Sequence, residues 1–121
     1  MKRKLRIYLA DLTYNTVGLS TEVFPLNIGY IASYCKQNFG EQVEISLFKY
    51  IEKLESAIEN ELPDILGLSN YAWCHRIGLE MFKIAKEKNP KIITVWGGPN
   101  FPIDIISQEK FMKKHTDVDF Y

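Results

Sequence analysis

The period of apolar and polar positions changes several times along the chain. Residues 5–10 form a short, mostly apolar run that ends at a polar cluster, which predicts a strand. Over 25–39, Ile28, Ile31, Ala32, Cys35 and Phe39 recur at helical spacing; Pro25 suits a first turn and Gly40 a stop. Residues 43–48 alternate, with Val43, Ile45 and Leu47 set against Glu44 and Ser46. This strand has one wetter face and is expected near a sheet edge. Ile51, Leu54, Ile58 and Leu62 mark a second helix, closed by Pro63-Asp64. Residues 64–69 (DILGLS) and 91–96 (KIITVW) are apolar on both faces, which predicts buried strands, the first of them central. Between them, Ile77, Met81, Ile84 and Ala85 mark a third helix, closed by Asn89-Pro90. A weaker helix over 104–115 and a fifth strand over 118–121 complete the series.

Strands alternating with helices of this length join through right-handed crossovers into a parallel sheet covered on both faces. The expected fold is α/β, doubly wound, flavodoxin-like or Rossmann-like, with three layers around a five-stranded parallel sheet. The helix that usually follows the fifth strand is missing from the pattern. A chain of 121 residues without repeat or linker holds one domain, 1–121, too short for a self-contained two-domain or barrel enzyme. Fifteen Lys and Arg balance fifteen Asp and Glu, which argues against a nucleic acid or an anionic membrane as partner. The basic start, Lys2-Arg3-Lys4, lacks the apolar run of a secretory signal, and no stretch approaches the roughly 18–20 apolar residues of a membrane span. The chain is expected to be cytoplasmic. Cys35 and Cys74 are too few for a disulfide scaffold or an iron–sulfur cluster and read as small buried hydrophobes.

In doubly wound sheets, ligands bind beyond the carboxyl ends of the strands, where the strand order reverses. After the first strand, residues 11–21 make a connection rich in small polar groups, longer than the usual two to six or so. It is either a ligand cradle or a solvated loop capped by Asp11. After the third strand come Ser69, Asn70 and Tyr71, then Trp73. Ser69 either caps the next helix or bonds a ligand. Tyr71 and Trp73 supply aromatic surface for a planar ligand or a partner domain. After the fourth strand, Gly97-Gly98-Pro99 either makes a tight turn or lets the backbone approach a ligand closely. No G-x-G-x-x-G, phosphate loop, nucleophile elbow or metal-ligand spacing occurs. A phosphoacceptor receiver is disfavoured, since Ser69 and Asn70 occupy its acceptor position. His75 and His115 fall on predicted helices, His75 close to the sheet edge.

The segment Ile65-Leu66-Gly67-Leu68-Ser69, the turn Trp96-Gly97-Gly98-Pro99 and the start Pro25-Leu26-Asn27-Ile28-Gly29-Tyr30 together resemble a known family. They are similar to the amino-terminal cobalamin-binding-type domain of radical S-adenosylmethionine enzymes. That group includes the anaerobic magnesium-protoporphyrin monomethyl ester cyclase type and cobalamin-dependent methyltransferases. The stretch KEKNPKIITVWGGP over 86–99 carries the most of the likeness, which spans nearly the whole chain.

The family's landmarks are D-x-H-x-x-G after the first strand, S-x-L after the third and G-G after the fourth. Ser69, with Tyr71 in place of Leu, meets the second; Gly97 and Gly98 meet the third, with 27 residues (70–96) between. The first is met only by Asp11: Thr13 stands for the His and Thr16 for the Gly. The resemblance thus implies cobalamin without an axial His from this loop. Ser69 and the Gly97-Gly98 backbone would line the slot for the nucleotide tail, the loop from Asp11 through Leu12 and Thr13 to Gly18 would face the corrin, and Asn70, Tyr71 and Pro99 would count among the cofactor-binding residues. It also implies that the chain is the front piece of a longer enzyme. S-adenosylmethionine, a 4Fe-4S cluster and the radical barrel, its expected partner, would lie in the rest, because two cysteines 39 positions apart cannot supply the cluster motif. Three functions stay open here: a cobalamin-binding module inert by itself, a cofactor-free docking domain of the same enzyme, and an independent flavodoxin-like binding protein.

Overall fold

A computed structural model describes residues 2–13 and 25–121. The elements follow in the order β1 (Leu5–Thr13), α1 (Leu26–Phe39), β2 (Val43–Tyr50), α2 (Ile51–Asn60), β3 (Ile65–Ser69), α3 (His75–Lys88), β4 (Ile93–Gly97) and α4 (Ile105–Lys114). Strand β1 runs three residues beyond Ala10, into the polar cluster expected to end it. After an irregularity beyond Ala10, the ladder resumes with Thr13 opposite Tyr50. Asp11, Leu12 and Thr13 therefore sit on a strand end rather than in a loop. Helix α1 ends at Gly40, whose φ of +51° is a left-handed conformation that suits glycine, and whose N–H bonds the Lys36 carbonyl. Asp104 caps α4 by accepting from the Ser107 N–H at 2.9 Å.

The sheet is parallel, in the order β2-β1-β3-β4. The chain moves outward from β1 to β2, then crosses back to β3, so the order reverses between β1 and β3. Right-handed crossovers in opposite directions put α1 on one face and α2 and α3 on the other. Packing agrees. Tyr8, Ala10, Leu12, Leu66, Leu68 and Trp96 meet Leu54 and Ile58 of α2 and Met81, Phe82 and Ala85 of α3. On the opposite face, Ile7, Leu9 and Val43 meet Ile28 of α1. Gly78 lets α3 close on Trp96: a Cβ there would stand 3.3 Å from the indole.

The five-stranded expectation is corrected. The sheet has four strands, and residues 118–121 contribute a single parallel bridge, Val95 to Phe120. The reason is local. The Asp119 and Phe120 N–H groups both bond the Thr94 carbonyl, and the Asp119 carboxylate takes Lys86 Nζ at 2.7 Å and the Thr94 N–H at 2.9 Å. The Asp119 side chain thus takes the Thr94 N–H that a longer ladder would bond through backbone, and the ladder pairing is confined to Phe120. As expected, β2 lies at an edge and β3 is central; β4 closes the other edge.

Coverage of the second face is also partial among the described residues. Helix α1 lies over β1 and β2, and the β3–β4 half keeps Ile93 41% exposed. No helix of the described residues is long and apolar enough to cross a membrane.

Candidate functional site

The carboxyl ends of β1 and β3 flank the reversal in strand order, and Ser69 closes β3 there, opposite Gly97 of β4. Ser69 shares the parity of Ile65 and Gly67, so it faces α1. Its hydroxyl accepts from Asn27 Nδ2 at 2.9 Å and hydrogen-bonds the Asp11 carboxyl. Asn27 Oδ1 in turn accepts from the Ile28 N–H at 2.8 Å. The capping alternative for Ser69 is overturned: α3 begins six residues later, at His75, after Cys74 and with no side-chain cap. Burial pushes the Asp11 carboxyl above its usual range, against the opposing pull of the Ser69 bond and the Lys49 charge.

The two glycines of the turn differ. At Gly98, φ is +121°, and a Cβ would lie 2.8 Å from the Asn70 carbonyl oxygen and 3.1 Å from its nitrogen. The protein itself requires glycine there. At Gly97, a Cβ would meet nothing within 4 Å. That position belongs to a groove of about 390 Å³ between α1 and the half of the sheet that the described residues leave uncovered. Ile28, Ile31 and Cys35 wall it on one side, and Ile65, Gly67 and Val95 floor it. Ser69, Tyr71, Gly97 and Gly98 line it as well.

A second recess of about 350 Å³ brings together Asp11, Leu12, Thr13, Lys49, Tyr71 and Trp73. Tyr71 and Trp73 stack with centroids 4.7 Å apart and planes 5° from parallel, and Trp73 remains 64% exposed. Gly18 and Thr16 lie outside the described residues.

Asn70 and Pro99 are placed elsewhere. Asn70 is fully buried and turns its amide away from the groove. Its Nδ2 donates to the Asn100 carbonyl at 2.9 Å and to Tyr121 Oη at 3.3 Å, and its Oδ1 lies 3.1 Å from His75 Nδ1. Tyr121 Oη donates to the Gly98 carbonyl at 2.8 Å. Asn70 is thus a strut that locks the 97–100 turn onto the end of β3. Pro99 lines a separate cleft with His75, Phe111 and His115. His75 stacks on Trp96, and burial together with the Lys114 and Arg76 charges lowers its pKa. Cys74 is buried as expected, whereas Cys35 is half-buried on the groove wall. Among the described residues, no three His, Cys, Asp or Glu side chains cluster as a metal site would require.

Sequence reasoning missed the α1 wall, Asn27 included. A signal existed: Leu26, Ile28, Tyr30, Ile31 and Tyr34 spread apolar character around the helix, more than one buried stripe needs.

The B12 binding domain family model matches residues 15–120. The cobalamin-dependent radical SAM methyltransferase TokK of Streptomyces tokunonensis is 31% identical over 110 residues, covering 85% of this chain and 15% of its own length. The 2-(S-pantetheinyl)-carbapenam-3-carboxylate methyltransferase of Streptantibioticus cattleyicolor is 29% identical over 93 residues, covering 71% and 13%. This chain therefore spans under a sixth of the curated relatives it matches. A cobalamin-binding protein of Desulfitobacterium hafniense DCB-2, solved by crystallography, superposes with a TM-score of 0.56 at 15% identity, over 95% of this chain and 50% of its own; it shows the shared fold. With the family model matched across nearly all of the chain, the chain belongs to the B12-binding domain family.

Proposed function

We propose that this chain binds cobalamin as a module of a radical S-adenosylmethionine methyltransferase and has no catalytic activity by itself. One observation carries the reading: the space beside Gly97, opposite Ser69, which the packing of the described residues leaves open. It adjoins an apolar groove whose volume lies within the roughly 300–1,000 Å³ of small-molecule sites. In this reading Gly97 and Ser69 flank the nucleotide tail, α1 walls it, and Asn70 holds the turn without touching it. Asp11, Leu12, Thr13 and the Tyr71–Trp73 stack face the corrin. Thr13 brings no imidazole to the cobalt, so the metal takes no ligand from that position. Bound cobalamin supplies the cobalt chemistry of methyl transfer. Cleavage of S-adenosylmethionine and its 4Fe-4S cluster are assigned to a radical barrel outside 1–121, docked at the edge that exposes Trp73, in the cytoplasm.

The test is a titration of the purified chain with hydroxocobalamin, followed by visible spectrum, tryptophan quenching and alkylation of Cys35. Binding is expected to shift the spectrum and to slow Cys35 alkylation, while Cys74, 1% exposed, stays inert throughout. An unchanged spectrum at high micromolar cobalamin, with folding verified by circular dichroism, would favour the cofactor-free docking domain instead. Thr13 in place of the axial His is the observation behind that second reading.

A further inference from the structure

The cleft that Pro99 shares with His75 and His115 has a volume of about 510 Å³ and lies between the 99–102 turn and the last turn of α4. It has no lining residue in common with the groove beside Gly97 or with the recess at Asp11. Its walls are held by packing. Phe101 stacks on Tyr121 with centroids 3.8 Å apart, and Phe111 meets His115 edge to face at 4.5 Å. His75 stacks at 4.8 Å on the fully buried Trp96. His75 Nδ1 lies 3.1 Å from Asn70 Oδ1, an oxygen that can only accept, so the ring proton is assigned to Nδ1.

The polar groups that remain are unspent. Among the described residues, neither the His115 ring nitrogens nor Lys114 Nζ has a hydrogen-bond or ion-pair partner. Burial first, and then neighbouring charges that include Lys114 in both cases, hold the two imidazoles below their ordinary pKa. At pH 7 both rings are therefore neutral, and Lys114 carries the one charge among the lining residues.

The geometry points to a second ligand site in this cleft, for an organic monoanion: a carboxylate on a flat apolar body. The carboxylate pairs with Lys114 Nζ and takes the His115 N–H, and the body lies against Phe101, Phe111 and Pro102. One carboxylate matches one cation. A phosphate carries more negative charge at pH 7 and would be left undercompensated among apolar rings. The site does not depend on the cobalamin reading. Asn70 nevertheless links the two regions, because its amide holds His75 and Asn100 while its backbone presses on Gly98.

The experiment titrates the purified chain with benzoate, benzamide and inorganic phosphate, followed by the histidine ring protons in NMR spectra. Benzoate is expected to shift both histidines and to bind at least about fivefold tighter than the uncharged amide, the scale of one partly exposed charge contact. If benzoate and benzamide bind alike, the cleft is an apolar recess and the proposal is overturned. It is also overturned if millimolar benzoate moves neither histidine, or if phosphate binds as tightly as benzoate, which would remove the part given to the apolar body. A variant supplies a second arm. Lys114 is exposed, so Lys114→Gln is expected to keep the melting temperature and to weaken benzoate at least about fivefold. Unaltered affinity in that variant overturns the pairing with Lys114.

Discussion

A Cβ added at Gly98 would collide with Asn70 backbone at 2.8 Å and would be held at a φ of +121°, whereas one added at Gly97 would enter open space. These neighbours should therefore respond in opposite ways. Gly98→Ala is expected to cost about 1–3 kcal/mol of stability, since both the clash and the backbone conformation oppose it. Gly97→Val is expected to leave the melting temperature within a few degrees of the parent chain and to abolish hydroxocobalamin binding. Melting curves and titrations on both variants check this. A Gly97→Val chain that binds normally would remove the groove from the site. The pair of glycines was legible in the sequence. Which of them is spare was not, because that depends on Asn70, 28 positions away, pressing on one and not the other.

Among the elements, the 117–120 segment shows how a weak strand signal is used. Val118 is buried in the core, Asp119 ties Lys86 to Thr94, and the Phe120 carbonyl accepts the Trp96 N–H at 2.9 Å. Burial alone would raise the Asp119 carboxyl, but the Lys86 and Thr94 bonds outweigh it and hold its pKa below the usual range. A depressed carboxylate stabilises the fold above the unfolded value, near 3.9, and that contribution is lost as pH falls through the folded value. Asp119→Ala is accordingly expected to cost about 1–2 kcal/mol at pH 7, moderate because Asp119 keeps a third of its side chain in water. It should also speed amide exchange at Trp96; unaltered exchange there would mean that the bridge does not depend on Asp119. The helices were readable because their apolar positions repeat every three to four residues. The single bridge was not, because four residues with β-like composition do not reveal whether side chains will take the ladder's place.

Across the whole molecule, the titratable groups divide between the two edges of the sheet: Arg3, Lys4 and Arg6 pair with Asp64, Glu41 and Glu61 near the amino ends of the strands, and the two histidines lie together beyond β3 and β4. His75 and His115, with ring centroids 5.4 Å apart, are both lowered by burial first. The Lys114 and Arg76 charges add to this at His75, and the His75 and Lys114 charges at His115. Groups of this sign bind fewer protons folded than unfolded. Their stabilising contribution is complete above about pH 6.5 and is lost as pH falls through the lowered folded values. The melting temperature is expected to drop between pH 7 and 5, and less so in His115→Phe, which keeps an aromatic ring beside Trp96 and Phe111 but cannot titrate. A flat profile for the parent chain would contradict the burial of the two imidazoles.

The sequence by itself determined the kind and order of the elements, the central place of β3, and the positions of Ser69, Gly97 and Gly98 at strand ends. These follow from periodicity and turn chemistry, which act over a few residues. Only the tertiary structure decided that Asn70 faces inward as a strut, that α1 supplies the wall opposite Ser69, and that the described residues leave the β3–β4 half of one face open. Each depends on which distant segments meet, and that is settled by the direction of the crossovers and the packing of the core, neither of which is written in any short stretch of chain.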